Sequence, residues 1–136
     1  MTANKSRRRQ QQDGTQSLNI IFMEIIEKLM GDSTSFLFHN QPTRQDAPNY
    51  RDLIRNPIAL KDMKNKSKRN EYKDRQAFEA DIQLMVSNAI QFNGELHYIA
   101  TLAKGLQLKA EEELEAKRGD IETMECVIRM DGGLQI

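Results

Sequence analysis

The sequence predicts an all-α protein, a four-helix bundle with one long connection between the first and second helices. Three observations point there. Apolar residues recur at three- and four-residue spacing, the period that gathers side chains on one helical face, in segments beginning at Leu18, Phe78 and Ile99. The composition, with no Trp, seven Met and three Pro, suits a core of Leu, Ile, Met and Phe. At 136 residues and 38% hydrophobic, the chain can bury one real core and has little room for two.

Residues 1–16, MTANKSRRRQQQDGTQ, show no apolar periodicity and carry Lys5, Arg7, Arg8 and Arg9. Such a stretch cannot bury enough surface to offset its ordering entropy, so a flexible basic tail is expected. Its RRR triplet could act in nuclear import or touch nucleic-acid phosphate, against the plainer reading of a solvated tail.

The first helix places Leu18, Ile21, Phe22, Ile25 and Leu29 on one face and is closed by Gly31. The segment DSTSFLFHNQPTRQDAPNYRDLI follows, long for a loop, with Phe36, Leu37 and Phe38 near its start and Tyr50, Leu53 and Ile54 near its end. Apolar residues at both ends predict that it packs onto the helices and leaves its polar middle in water. Asn56 as N-cap and Pro57 at the first helical position predict a short second helix. It runs into KNKSKRNEYKDR, which reads as a solvated basic connector.

Asp74 is a good N-cap for the third helix, whose face is Phe78, Ile82, Met85, Ala89 and Phe92 and whose end is Asn93-Gly94. Asn93 there reads either as a stop residue or as a group held to bind something. The fourth helix carries Ile99, Leu102, Ala103, Leu106, Ala110 and Leu114 inward, with Lys109, Glu111, Glu112, Glu113 and Glu115 as a solvated outer side. Lys117, Arg118 and Gly119 look like its C-terminal end. The chain therefore divides into a tail (1–16), a domain (17–118) and a C-terminal extension (119–136) that reads equally as helix or short strand.

The formal net charge is zero, so the whole molecule gives no argument for a nucleic-acid or membrane partner. Cys126 has no second cysteine to pair with, and no stretch resembles a secretion signal or spans a bilayer, so an intracellular protein is expected. Nothing points to catalysis, a cofactor or a metal. His39 and His97 lie far apart and outside any zinc-like or hydrolase-like spacing, and there is no Gly-rich phosphate loop.

Two blocks in the right order and separation, PNYRDLIRNPIAL and NAIQFN, resemble a bromodomain, the acetyl-lysine-binding module of chromatin proteins, over about residues 17 to 116. Pro48, Asn49, Tyr50, Leu53, Ile54 and Pro57 stand at the offsets of the family's Pro-Asp-Tyr, aliphatic pair and helix-opening Pro. Phe78, Asp81, Met85, Asn88, Ala89, Phe92 and Asn93 reproduce its third-helix pattern without a gap. The resemblance implies a left-handed four-helix bundle. It implies that Asn93 donates to the acetyl carbonyl, that Tyr50 reaches that carbonyl through a water, and that Ile99 is the apolar gatekeeper at the pocket mouth. Phe92 falls where the family usually has Tyr. Phe36, Leu37 and Phe38 take the place of the Trp-Pro-Phe shelf, with Phe38 at the pocket floor.

The departures have consequences. The loop is about two residues shorter than in the best-known members, leaving Pro42, Thr43 and Ala47 as alternatives for the pocket wall. Ser67 replaces an apolar residue late in the second helix, so early fraying is expected there. The implied role is a nuclear reader of acetylated histone peptides within a larger chromatin complex, with weak nucleic-acid contact through the basic tail and no membrane partner. Two other readings stand beside it: a reader of a non-histone acetylated protein, and a docking scaffold indifferent to acetylation. The scaffold would use Arg51, Arg55, Lys61, Lys64, Lys66, Lys68 and Arg69 as a basic patch.

Overall fold

The computed structural model describes residues 2–133, with side chains for residues 13–130. Six helices follow in order: α1 (Thr2–Met30), α2 (Tyr50–Leu53), α3 (Leu60–Lys68), α4 (Arg75–Asn93), α5 (Tyr98–Ala116) and α6 (Arg118–Gly133). A short 3-10 turn (Phe36–Phe38) lies in the connection between α1 and α2, and no strand occurs among the described residues. Helix α1 packs against α3, α5 and α6, and α4 packs against α5. This is the all-helical bundle the periodicity predicts, and no described helix is long and apolar enough to cross a membrane.

The core forms where the apolar faces meet. Leu18, Phe22, Ile25, Ile26 and Leu29 of α1 are buried against Phe78, Ile82, Met85 and Val86 of α4 and Ala103, Leu106, Ala110 and Leu114 of α5. The Phe22 ring stacks on Phe78 at 4.6 Å, and Tyr72 meets Phe22 edge-on at 5.8 Å and Phe78 at 5.4 Å. Tyr72 comes from the stretch the sequence reads as a solvated connector. Its backbone is held by fully buried Asn19, whose Nδ2 donates to the Tyr72 carbonyl at 2.8 Å and whose Oδ1 accepts from the Tyr72 N–H at 3.2 Å. The Tyr72 hydroxyl donates to Asp81 at 2.7 Å, and Lys66 pairs with the same carboxylate at 2.7 Å. Burial, then the Asp81 bond, pushes the Tyr72 phenol above the ordinary tyrosine range.

The two ends of the chain differ from the sequence expectation. Helix α1 runs from Thr2, through the segment expected to be a flexible tail, and the C-terminal extension is helix α6. The two pack together. At Gly14 an added Cβ would sit 3.3 Å from side-chain atoms of both Val127 and Ile128, so the helices approach closely there. Buried Ile121 and the half-buried Met124 and Ile128 join the apolar face of α6 to the core. Only Lys117 separates α5 from α6, and Gly119 lies inside α6 rather than capping α5. The side chains of Lys5, Arg7, Arg8 and Arg9 lie outside the described residues, and with them the nuclear-import and phosphate-contact readings of the basic triplet.

Three local expectations also change. Helix α3 begins at Leu60 rather than Pro57, because Asp62 accepts the Ala59 N–H at 2.8 Å and the Asn56 carbonyl is engaged elsewhere. Proline's fixed φ suits the extended approach as well as a first turn. Helix α3 does not fray at Ser67, which is buried within the helix with no hydroxyl partner among the described residues. The acidic side of α5 is not simply solvated: Arg75 bridges Glu111 at 3.2 Å and Glu115 at 2.8 Å, while Lys28 reaches Glu113 at 2.9 Å.

Two stability predictions follow from these contacts. Asn19→Ala strands two buried backbone groups of Tyr72 and should cost about 2–4 kcal/mol in urea unfolding. Asp32, at the start of the long connection, accepts from the Thr34 hydroxyl at 2.6 Å and N–H at 2.8 Å and pairs with Lys109 at 3.1 Å. Those Thr34 bonds first, then Lys109, lower its carboxyl from 3.8 to about 2. A depressed folded-state value means the contribution is whole above the unfolded value and is lost as pH falls through about 2. An acid titration of Asp32→Asn, followed by circular dichroism, should therefore lose less stability between pH 4 and pH 2 than the parent, as a rough window.

Candidate ligand-binding pocket

Residues 31–59 cross one end of the bundle, and a few hydrogen bonds decide how closely they lie. The Lys61 N–H donates to the His39 carbonyl at 3.1 Å, fixing the early part of the connection to α3. Gln91 of α4 donates to the Leu53 carbonyl at 2.8 Å, and the buried Asn88 donates to the Asn56 carbonyl at 2.9 Å. Gln41 donates to Asp62 at 3.0 Å. Held at these points, the connection arches over the ends of α4 and α5 and encloses a cavity of about 270 Å³.

The structure brings eight of the nine sequence-predicted site residues to this cavity. Leu37 and Phe38 come from the 3-10 turn, Pro42 and Ala47 from the loop, and Tyr50 from the first position of α2. Phe92 and Asn93 come from the last turn of α4, and Ile99 from the first turn of α5. Thr43, the remaining alternative for the wall, is not in the lining; its hydroxyl accepts from the Asp46 N–H at 3.1 Å. Phe36 is outside too, 77% exposed at the start of the 3-10 turn, while Phe38 two residues on is buried.

Five lining residues had no sequence assignment to the pocket: Asn40, Asp46, Ile58, Met85 and Ala89. Met85 and Ala89 belong to the α4 face that reads as core, and the periodicity that marks them as inward does not separate core from cavity wall. Ile58 follows Pro57 in the extended approach to α3. Asp46 adds a carboxylate to the lining. It lies at an exposed loop position, turned back by the Asp46 N–H bond to Thr43 and by the Ala47 N–H donating to the Thr43 carbonyl at 2.9 Å.

Asn93 is the last residue of α4, and the positive φ of 98° that ends the helix belongs to Gly94. The Gly94 N–H still donates to the Ile90 carbonyl at 2.8 Å. Asn93 is therefore not the residue that takes the special backbone conformation. Its Nδ2 donates to the Ala89 carbonyl at 3.0 Å, which orients the amide. One N–H and the amide oxygen have no partner among the described residues and remain for a ligand. The Tyr50 ring meets Phe92 at 4.9 Å and 66°. Burial raises the Tyr50 phenol above 10, so it stays a neutral donor and acceptor at physiological pH. The depth of the cavity is thus apolar and uncharged apart from a few neutral polar groups, which suits a small amide better than an ion.

The bromodomain family model matches residues 22–105. Transcription initiation factor TFIID subunit 1 of Oryza sativa subsp. japonica is 35% identical over 94 residues, covering 68% of this chain and 5% of that protein. Chromatin structure-remodeling complex subunit rsc4 of Schizosaccharomyces pombe is 37% identical over 101 residues, covering 65% of this chain and 19% of that protein. The chain thus spans a small part of the curated relatives it matches. Among solved structures, the bromodomain of human BAZ1A superposes with a TM-score of 0.66 at 28% identity, covering 71% of this chain and 90% of that one.

Because Gly94 rather than Asn93 carries the positive φ, the two positions should respond differently to alanine. Gly94→Ala meets no atom within 4 Å, so its cost is backbone strain alone, about 1–3 kcal/mol. Asn93→Ala should cost less than about 1 kcal/mol, since alanine is a good helix residue. Thermal unfolding of both variants checks the pair, and a larger loss for Asn93→Ala would contradict the assignment.

Proposed function

The chain belongs to the bromodomain family, and on that premise we propose that it reads acetyl-lysine on histone tails, in the nucleus, as part of a larger chromatin or transcription assembly. Bromodomains are acetyl-lysine-binding modules. The observation that carries the assignment is the Asn93 amide, oriented by Ala89 and with an N–H to offer inside the same apolar cavity as Tyr50.

Acetylation turns a hydrated ammonium into a neutral amide with a methyl group. The methyl group suits the floor of Phe38, Ile58 and Met85, and the acetyl carbonyl accepts from Asn93 Nδ2. Tyr50 supports that carbonyl through a water, and Ile99 closes the apolar side. An unmodified ammonium in the same place would lose its water and meet no buried counter-charge, at a cost of several kcal/mol. The exposed carboxylate of Asp46 leaves that penalty in place, because it stands at a solvated position.

One hydrogen bond contributes about 0.5–1.5 kcal/mol net and each buried CH₂ about 0.8, so a single acetyl-lysine gains roughly 4–5 kcal/mol. That corresponds to roughly millimolar to high-micromolar binding. The relatives' names, a transcription initiation factor and a chromatin-remodeling subunit, support a chromatin address. The docking-scaffold reading is weakened by its own residues: Lys64 pairs with Glu27 at 3.6 Å, Lys66 with Asp81 at 2.7 Å and Arg69 with Glu71 at 2.9 Å, so part of the basic patch is neutralised within the fold.

An array of acetylated and unmodified histone-tail peptides, probed with the parent and with Asn93→Ala, tests the proposal. The parent should bind acetylated peptides alone, and Asn93→Ala should bind them at least about tenfold more weakly, with an intact fold. Equal binding by both proteins would sink the pocket assignment. Binding that ignores acetylation and falls steeply with salt would favour the scaffold.

A further inference from the structure

A second cavity, of about 250 Å³, is lined by the same loop and the start of α2. Its lining is Pro42, Arg44, Ala47, Pro48, Arg51 and Asp52, and two of these, Pro42 and Ala47, are also walls of the first cavity. The two hollows therefore share a partition, and a chain whose side chain entered one would run past the other. We propose that this second cavity takes an anionic side chain, a carboxylate or a phosphomonoester, of the same peptide that places its acetyl-lysine beside Asn93. The assignment rests on the acetyl-lysine reading above and adds to it the class of neighbouring residue that is preferred.

The two guanidiniums carry the argument. Neither Arg44 nor Arg51 has a carboxylate partner among the described residues, although this fold pairs many of its other basic side chains. Arg51 is steadied by a neutral group, Nη2 donating to Gln41 Oε1 at 3.4 Å, and Gln41 is itself anchored on Asp62. That leaves most of its donors unused. A guanidinium presents a planar fork that fits a carboxylate or phosphate bidentately. With Asp52 also in the lining, the cavity has a formal excess of one positive charge, two cations against one acid.

The surroundings favour a peptide over nucleic acid. Asp46 and Asp52 flank the arginines, so the surface offers isolated cations in a hollow rather than the continuous basic stripe that tracks a phosphate backbone. A tail that is basic overall but carries one phosphorylated or acidic residue near its acetyl-lysine matches this alternation. The acids at the rim face its cations, and the arginines face its anion.

The test uses the full chain and one acetylated peptide in which each flanking position in turn is Ser, phosphoserine or Glu. Binding is measured by isothermal titration calorimetry with the parent, Arg44→Gln, Arg51→Gln and Asp52→Asn. At one position phosphoserine should tighten binding about three- to tenfold over Ser, with Glu giving a smaller gain. The gain should vanish in Arg44→Gln and in Arg51→Gln and grow in Asp52→Asn. Affinity indifferent to the flanking anion, or a gain that survives both arginine substitutions, overturns the proposal while leaving the acetyl-lysine reading standing. No binding of any acetylated peptide overturns both. If an unmodified DNA duplex binds and loses that binding in the arginine variants, the cavity belongs to nucleic acid and the peptide assignment is wrong.

Discussion

The hydrogen bond from the Asn88 amide to the Asn56 carbonyl is the contact on which the cavity depends. Asn88 is buried on a helix face that is otherwise apolar, so its amide must find an acceptor or incur the cost of an unpaired buried group. The acceptor it finds lies on the long connection, and this fixes how near that connection can come to α4. If residues 31–59 collapsed onto the helices to bury more apolar surface, Asn88 would lose its partner and the hollow would close. One buried polar side chain thus sets a distance that hydrophobic packing alone would shorten. The Gln91 bond to the Leu53 carbonyl repeats the constraint one turn further on, and Tyr50 is held against Phe92 as a result.

The end of α4 separates two roles that a sequence reading merges. Asn and Gly both tolerate positive φ, so either can close a helix. The structure gives that conformation to Gly94 and leaves Asn93 helical, with its side chain tied back to Ala89. An amide bonded to its own helix is pre-oriented. Less rotamer entropy remains to be lost on binding, and the second N–H is directed by the first. The helix end therefore serves the pocket twice, once by stopping the chain and once by holding a neutral donor still.

Much of this was legible in the sequence because it is local or periodic. The faces of α4 and α5, the Asp74 cap and the positions of Tyr50, Phe92, Asn93 and Ile99 follow from spacing or from a motif that preserves spacing. Much of what was not legible depends on partners distant in sequence. Residues 2–16 have no apolar face of their own, and their helix rests on α6, more than a hundred residues away. Tyr72 looks like part of a solvated connector until Asn19 and Asp81 are placed beside it. Asp46 reaches the pocket lining only because a turn within the loop reverses the chain, and the start of α3 shifts because the Asn56 carbonyl is already engaged. Most of these misses are long-range hydrogen bonds or packing contacts overriding a sound local preference, while the Asp46 turn is a local bond with no periodic signature.

Selectivity and affinity come from different parts of the site. Discrimination between acetylated and unmodified lysine is set by what an ammonium would lose on entering an apolar hollow, and that difference can be large even where total binding is weak. A cavity with a free amide donor at Asn93 and largely apolar walls is therefore suited to asking whether a lysine is modified, and poorly suited to holding a peptide on its own. The charged groups that could identify a neighbourhood, Arg44, Arg51, Asp46 and Asp52, stand outside the cavity depth, where water screens them and each contributes little. Such groups act best in sum, alongside other contacts on the same tail. The curated relatives are far longer than this chain, which matches 5% of one and 19% of another. A weak but selective pocket makes physical sense wherever further binding sites are linked to it, because effective concentration multiplies affinity without blurring the distinction the pocket draws.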